Sequence, residues 1–355
     1  MTDTLFDGIT AHRVTTPRLT AGVLERPADG EPATTLVLVH GNVSSSLFFQ
    51  PTMLALPAPV RAIAIDLRGF GDSETLPVDA TRGLADFADD VWSVIDELGL
   101  GEVHLLGWSM GGGVVMQMML DRPGDVLSAT LEAPVSPYGF GGTHGADGVR
   151  NDEDGAGTGG GGANPDFVAR LAAGDTSAEE QTSPRTVYRT AYVTKTGDPH
   201  EDVWVASMLT TRTGEDNYPG DAVPSENWPG FAAGTRGVLN TMAPQHFRIA
   251  DALVALEPKP PILWIHGDKD AIVGDNSFFD LNVLGAAGVI PGWPGAEVAP
   301  PQPMVTQTRA VLERYAAAGG EYREVALPEA GHGPHLDEPE RFVAELVQRL
   351  GVPAS

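Results

Sequence analysis

Residues 103–119 read Val-His-Leu-Leu-Gly-Trp-Ser-Met-Gly-Gly-Gly-Val-Val-Met-Gln-Met-Met. Val103, Leu105 and Leu106 make a β-prone apolar run that stops at Gly107, and from Val114 onward Val115, Met118 and Met119 take up helical spacing. Strand, turn and helix therefore follow one another with Ser109 at the turn. Gly107 and Gly111 stand two residues either side of it, the G-x-S-x-G spacing of a turn tight enough to push the serine hydroxyl out at the end of a sheet. The same turn aims the backbone N–H of Met110 and the start of the helix at whatever Ser109 attacks, where negative charge develops in acyl transfer.

The neighbouring segments extend the pattern. Thr34–Val39 and Val60–Ile65 are continuous apolar runs of the kind buried on both faces of a parallel sheet, with a helix predicted over Leu47–Leu56 between them. Upstream, residues 1–33 read as an early strand pair with Leu19–Leu24 as its clearest strand. Downstream, Leu84–Leu98 is an amphipathic helix and Val126–Leu131 another strand. Regular alternation stops at Pro134. It resumes at Pro261–His266, followed by a helix at Val305–Ala318, a last strand at Tyr322–Leu327 and a closing helix at Pro339–Leu350 with Pro in its first turn.

Residues 134–257 are of another character. Ser136–Ala163 is rich in Gly and acidic residues, and on composition it buries too little to order itself, which predicts a solvated loop. Asp152 and Asp154 within it could ligate Ca²⁺, although no known calcium-loop spacing surrounds them. Residues 164–250 read as mainly helical and irregular.

Composition sets limits. The chain of 355 residues contains no cysteine, which excludes disulfides, thiolate nucleophiles and Cys-ligated metals. Its formal charge of −26, with only Lys195, Lys259 and Lys269 as lysines, repels phosphate backbones and anionic membranes, so no nucleic-acid partner is expected. The N-terminus lacks a basic start followed by an apolar run, and no window is apolar enough for membrane insertion; a cytoplasmic protein is expected. No ligand cluster and no phosphate-binding glycine motif in its proper context is present, so neither metal nor organic cofactor is implied.

A serine needs a base within reach and a carboxylate to hold that base in one tautomer. Ser109, Asp270 and His332 each follow a strand, at the edge where open parallel sheets bind ligands, and occur in the chain order Ser, Asp, His. His332 lies in a Gly-His-Gly loop after the last strand; His335 is its rival, and His266 reads as structural. Asp270 is favoured as the acid, with Glu132 at the end of the Val126–Leu131 strand as the alternative. Asn42, in His40-Gly41-Asn42 after the Thr34–Val39 strand, is the expected second oxyanion donor beside Met110, with Val43 as runner-up. His40 and the loop Asp66–Ser73 read as braces.

Taken together, His40-Gly41-Asn42, Asp66-Leu67-Arg68-Gly69-Phe70-Gly71-Asp72-Ser73, Gly107-Trp108-Ser109-Met110-Gly111-Gly112, His266-Gly267-Asp268-Lys269-Asp270 and Gly331-His332 resemble the α/β-hydrolase fold enzymes. The resemblance covers residues 34–132 and 258–350. It implies an eight-stranded, mostly parallel sheet with helices on both faces, a core of residues 1–133 and 258–355, and a mainly helical cap at 134–257. Serine at position 109 sets the chain apart from the dehalogenases and epoxide hydrolases of this fold, which carry Asp there. The expected activity is hydrolysis of a small, largely apolar ester or lactone. Carbon–carbon bond hydrolysis, amide hydrolysis and cofactor-free perhydrolysis share the same groups, and a non-catalytic ligand-binding protein on this fold is the alternative of another class.

Overall fold

A computed structural model describes residues 4–353. Its centre is one eight-stranded sheet. The strands are β1 Thr10–Thr15, β2 Thr20–Arg26, β3 Thr34–Val39, β4 Val60–Ile65, β5 Val103–Trp108, β6 Val126–Glu132, β7 Ile262–Gly267 and β8 Tyr322–Leu327. Their order in space is β1-β2-β4-β3-β5-β6-β7-β8. Only β2 runs against the others, pairing antiparallel with β1 and β4.

Every residue of β5 and of β7 is buried, so side chains pointing to either face of the sheet are covered. That is why these strands read as mostly apolar runs, with His104 and His266 inside them, and not as alternation. Two sets of helices do the covering. On one face α2 Ala85–Glu97, α3 Met110–Asp121, α7 Ala250–Ala255 and α9 Met304–Ala317 pack in succession; on the other α1 Gln50–Ala55 packs on α11 Pro339–Leu350. The predicted boundaries of α11 and β8 coincide with the observed ones. The helix expected over Leu47–Leu56 opens as a 3₁₀ turn, Ser46–Phe49, before α1.

The strand order decides where chemistry can occur. After β3 the chain moves outward to β4 and then crosses back to place β5 on the other side of β3, so the loops after β3 and β5 diverge from neighbouring strand ends. Val39 pairs with Gly107, Trp108 with Glu132, and Gly267 with Leu327. The loops holding Asn42, Ser109, Asp270 and His332 therefore leave one edge of the sheet. The Asp66–Ser73 loop is fixed beside them: Asp66 accepts from the N–H of Ser46 and of Asp72, and Arg68 makes a buried two-bond pair with Asp90.

Between β6 and β7 the regular structure is chiefly helical but short. It comprises α4 Pro165–Ala173, α5 Pro184–Val187, a π-helical turn at Tyr188–Tyr192 and α6 Glu201–Met208, joined by three ribbons of two strands each. The solvated loop expected at Ser136–Ala163 is not what forms. Ser136, Thr143, Thr158 and Gly160 are buried. Composition missed the polar partners that come from far along the chain. Gln307 on α9 accepts from the Ser136 hydroxyl and donates to Thr143 and to the Gly145 carbonyl, while Gln302 binds the N–H of Gly141 and the carbonyl of Gly139. Between β7 and α9 lies a further helix, α8 Leu281–Ala286, capped by Asp280; the last two helices of the core are α10 Pro334–Asp337 and α11.

Candidate functional site

Ser109 has φ 58° and ψ −119°, a conformation that costs a non-glycine residue about 1–3 kcal/mol. The strand neighbours hold it there: its N–H donates to the Glu132 carbonyl at 2.8 Å, and its carbonyl accepts from Gly112 at 3.0 Å and Val135 at 3.1 Å. The glycines are required by close approach. A Cβ on Gly111 would stand 2.2 Å from the Val39 carbonyl oxygen, and one on Gly107 the same distance from that of Gly111. Helix α3 starts at Met110, so its unpaired first N–H groups and positive end face the serine.

Asp270 lies three residues past the end of β7. Its Oδ1 accepts from the N–H groups of Ile272 and Val273, and its carboxylate receives His332 Nδ1–H at 2.9 and 3.1 Å. Both side chains are buried. With Nδ1 committed, Nε2 is the ring nitrogen left to take a proton. The His332 carbonyl accepts from the indole N–H of Trp108, the residue before Ser109, at 2.7 Å, and the two rings lie 5.6 Å apart. Among the described residues Ser109 Oγ makes no hydrogen bond; such bonds tighten when substrate arrives.

The rival base and rival acid are bonded to each other. His335 Nδ1 meets Glu132 Oε1 at 2.7 Å, and the same oxygen accepts the His335 N–H at 2.9 Å, with both side chains fully buried. Trp108 stands between the two histidines, 5.0 Å from the His335 ring. Glu132 thus does not reach His332. His266 pairs with Glu324 at 2.8 Å, on the flank of the sheet.

The loop after β3 runs beside the serine. A Cβ on Gly41 would lie 2.9 Å from Ser109 Cβ and 3.6 Å from its Oγ. The Gly41 carbonyl accepts from His40 Nδ1–H at 2.7 Å and from the Ser44 hydroxyl at 2.8 Å; His40 Nε2 in turn accepts the Leu67 N–H. These bonds require a neutral ring, and burial lowers the pKa of His40 to about 4. Val43, next along, sits at φ 49°, and Asn42 Oδ1 is buried without a partner among the described residues. The N–H groups of Asn42, Val43 and Met110 make no hydrogen bond to described residues.

Two residues that the sequence did not single out close the site. Tyr192 donates from its hydroxyl to the carbonyls of Asn42 and Val43 and accepts at its own carbonyl from Gly333 N–H. Asp337 accepts from the N–H groups of Gly331, Thr194 and Lys195, tying the His332 loop to the insertion. Nothing in the local pattern marks Tyr192. Asp337, five residues past His332 in a Gly-Pro-containing turn, carries a faint signal as a possible brace. Among the described residues no three His, Asp or Glu side chains gather as a metal site. Asp154 braces the insertion instead, accepting from Ser225 and Asn227. Among the described residues no helix is long and apolar enough to cross a membrane.

Comparison with known proteins bears on the family and the fold. The sequence profile of the alpha/beta hydrolase family matches residues 36–345. The carboxylesterase YbfK of Bacillus subtilis is 33% identical over 106 residues, 30% of this chain and 36% of that protein. The sequence match thus spans about a third of the relative's length. In three dimensions the crystal structure of the same carboxylesterase, also called CesB, superposes over 97% of this chain and 93% of its own, with TM-score 0.58 and 18% identity. An esterase from Exiguobacterium antarcticum covers 97% of this chain and all of its own, with TM-score 0.59 and 17% identity.

Proposed function

The chain belongs to the alpha/beta hydrolase family, and from that premise we propose that it is a serine hydrolase cleaving a carboxylic ester or lactone of a small, largely apolar substrate. The observation that carries this reading is the buried Asp270–His332 pair beside a strained serine at the switch point of the sheet. Carboxylesterases among its relatives support the ester over other acyl compounds.

In the proposed reaction Ser109 Oγ attacks the ester carbonyl carbon while His332 Nε2 takes the hydroxyl proton. Asp270 holds the imidazole in the tautomer with Nδ1–H and stabilises the imidazolium. The tetrahedral oxyanion receives N–H groups from Asn42 and Met110, with the start of α3 behind it. Collapse breaks the C–O bond, and the leaving alkoxide takes the proton from His332, leaving an acyl group on Ser109. Water, deprotonated by His332, then attacks the acyl carbon; the carboxylic acid departs and Ser109 regains its proton. Residues 1–133 and 258–355 form the hydrolase core in this reading, and 134–257 the cap over it. The aromatic and Met side chains of that cap suit an apolar acyl group.

The test is intact-mass spectrometry after treatment with a fluorophosphonate, alongside hydrolysis of p-nitrophenyl esters and lactones. One adduct on the wild-type chain, absent in Ser109→Ala and slowed at least about 100-fold in His332→Ala, is expected. A folded wild-type protein that takes no adduct and cleaves no ester would overturn the serine mechanism and favour a ligand-binding role.

A further inference from the structure

The oxyanion loop is held from two directions, and only one of them belongs to the sheet. A trans peptide is planar, so the carbonyl of one residue and the N–H of the next point opposite ways. The Gly41 carbonyl is bound by His40 and Ser44, which turns the Asn42 N–H away from them. The Asn42 carbonyl receives the Tyr192 hydroxyl at 3.0 Å, which turns the Val43 N–H away from that side. Asn42 is therefore clamped by a core bond before it and an insertion bond after it. The Val43 carbonyl, 3.1 Å from the same hydroxyl, gives a β-branched residue at φ 49° an external support.

Tyr192 is placed to do this by the elements it touches. It ends the π-helical turn Tyr188–Tyr192, a rare element found at functional positions. Its ring meets Trp108 edge-on at 5.6 Å and His332 at 6.0 Å, and its carbonyl accepts the N–H of Gly333, next to His332. One residue of the insertion thus touches the oxyanion loop, the residue before the nucleophile and the base loop. Burial raises the pKa of the hydroxyl, so it stays protonated and remains a donor.

We propose that Tyr192 is a positioning residue for the oxyanion hole, fixing the Asn42–Val43 peptide so that the loop presents its N–H groups to the tetrahedral intermediate only while the insertion is seated on the core. The inference rests on the serine-hydrolase reading above. It makes the cap part of the catalytic apparatus and not merely the wall of a pocket, because unseating it would release the oxyanion loop and the His332 loop together.

The experiment compares wild type, Tyr192→Phe and Tyr188→Phe. Tyr192→Phe removes the hydroxyl and keeps the ring against Trp108, whereas Tyr188→Phe removes a hydroxyl from the same turn that, among the described residues, bonds Asp198 and not the oxyanion loop. Three quantities are read on each: kcat and KM for p-nitrophenyl acetate, inhibition by phenylboronic acid, whose tetrahedral adduct on Ser109 uses the oxyanion hole, and the thermal midpoint. For Tyr192→Phe the expected result is kcat lower by about 10-fold or more, KM within about two-fold, and boronate affinity weakened by a factor similar to that in kcat. Tyr188→Phe should leave all three near wild type. Wild-type kcat and boronate affinity in a folded Tyr192→Phe protein would overturn the proposal. Equal losses in both variants would also overturn it, since they would report cap packing. If Tyr192→Phe does not fold, Tyr192→Met, whose flexible apolar side chain fills the space without a donor, replaces it: wild-type boronate affinity in that variant would overturn the proposal. A wild-type protein with no esterase activity and no fluorophosphonate adduct would instead bring down the reading on which the proposal stands.

Discussion

Asp270 and Glu132 were both open as the acid at the level of sequence, since each follows a strand at the same sheet edge. The structure separates them by partner: Asp270 faces His332, and Glu132 faces His335. The two carboxylates should therefore fail in different ways. Asp270→Asn puts an amide where Nδ1–H must be received and favours the wrong tautomer of His332, so kcat should fall about 10³–10⁴-fold with little change in thermal stability. Glu132→Gln keeps an oxygen for His335 but strands a buried amide N–H₂. It should cost about 1–3 kcal/mol of stability, read by denaturant titration, with kcat within a few-fold of wild type. The reverse pattern would make Glu132 the acid. Ser109 was legible because its backbone strain forces small residues at fixed offsets. Tyr192 was not, because its partners Asn42 and Val43 lie about 150 residues away and an aromatic residue in a helical stretch is ordinarily packing.

At the scale of elements, the strands and long helices were legible wherever burial imposes a period. β8 and α11 end where the hydrophobic pattern ends, because one face or both must be apolar throughout. The insertion obeys no such rule. Its glycine-rich segment reads as a chain unable to bury anything, yet Gln302 and Gln307 supply hydrogen bonds that its own side chains cannot, and Tyr138 packs within it. Gly148 shows how closely: at φ 62° it lies against the Tyr138 ring, where an added Cβ would come within 2.2 Å. Order imposed from 160 residues away has no local signature. Gln307→Ala should remove the hub, leaving the Ser136 hydroxyl, the Gln302 amide, Thr143 and the Gly145 carbonyl short of partners. Stability should fall by about 2–4 kcal/mol, and trypsin should cut at the exposed Arg150 faster than in wild type. A variant as resistant as wild type would mean that the segment orders itself.

Across the whole molecule, buried titrating groups set how the fold responds to acid. Burial lowers His40 and His104 to about 4 from an ordinary 6.5; His40 is committed to Leu67 and Gly41, and His104 to the Ser128 hydroxyl. Between pH 6.5 and 4 the unfolded chain holds protons on both rings that the folded one refuses, so their contribution is lost as pH falls through that window. Asp66 acts the other way. Burial raises its carboxyl to about 6 from 3.8, so the folded state binds a proton that the unfolded chain does not, and acid favours folding there. Two histidines against one aspartate leave roughly one excess proton on the unfolded chain near pH 5. Stability should accordingly fall by about 1.4 kcal/mol per pH unit around that point, and more steeply below pH 4 as carboxylates held low by hydrogen bonds and ion pairs, such as Asp175 at about 2, begin to protonate. Urea titrations at pH 7.5, 6, 5 and 4.5 measure the slope. His104→Gln should flatten it near pH 5 while leaving the site untouched, because His104 sits in β5 five residues before Ser109, bonded to Ser128 on the neighbouring strand. Protonation of His40 as pH falls toward about 4 should also loosen the oxyanion loop. A ring charged at Nε2 repels the Leu67 N–H, and the loop whose Gly41 carbonyl it holds is the one that carries Asn42. A slope unchanged by His104→Gln would mean that this ring is already protonated in the folded protein at pH 5, and that the acid sensitivity there lies with His40 and not with His104.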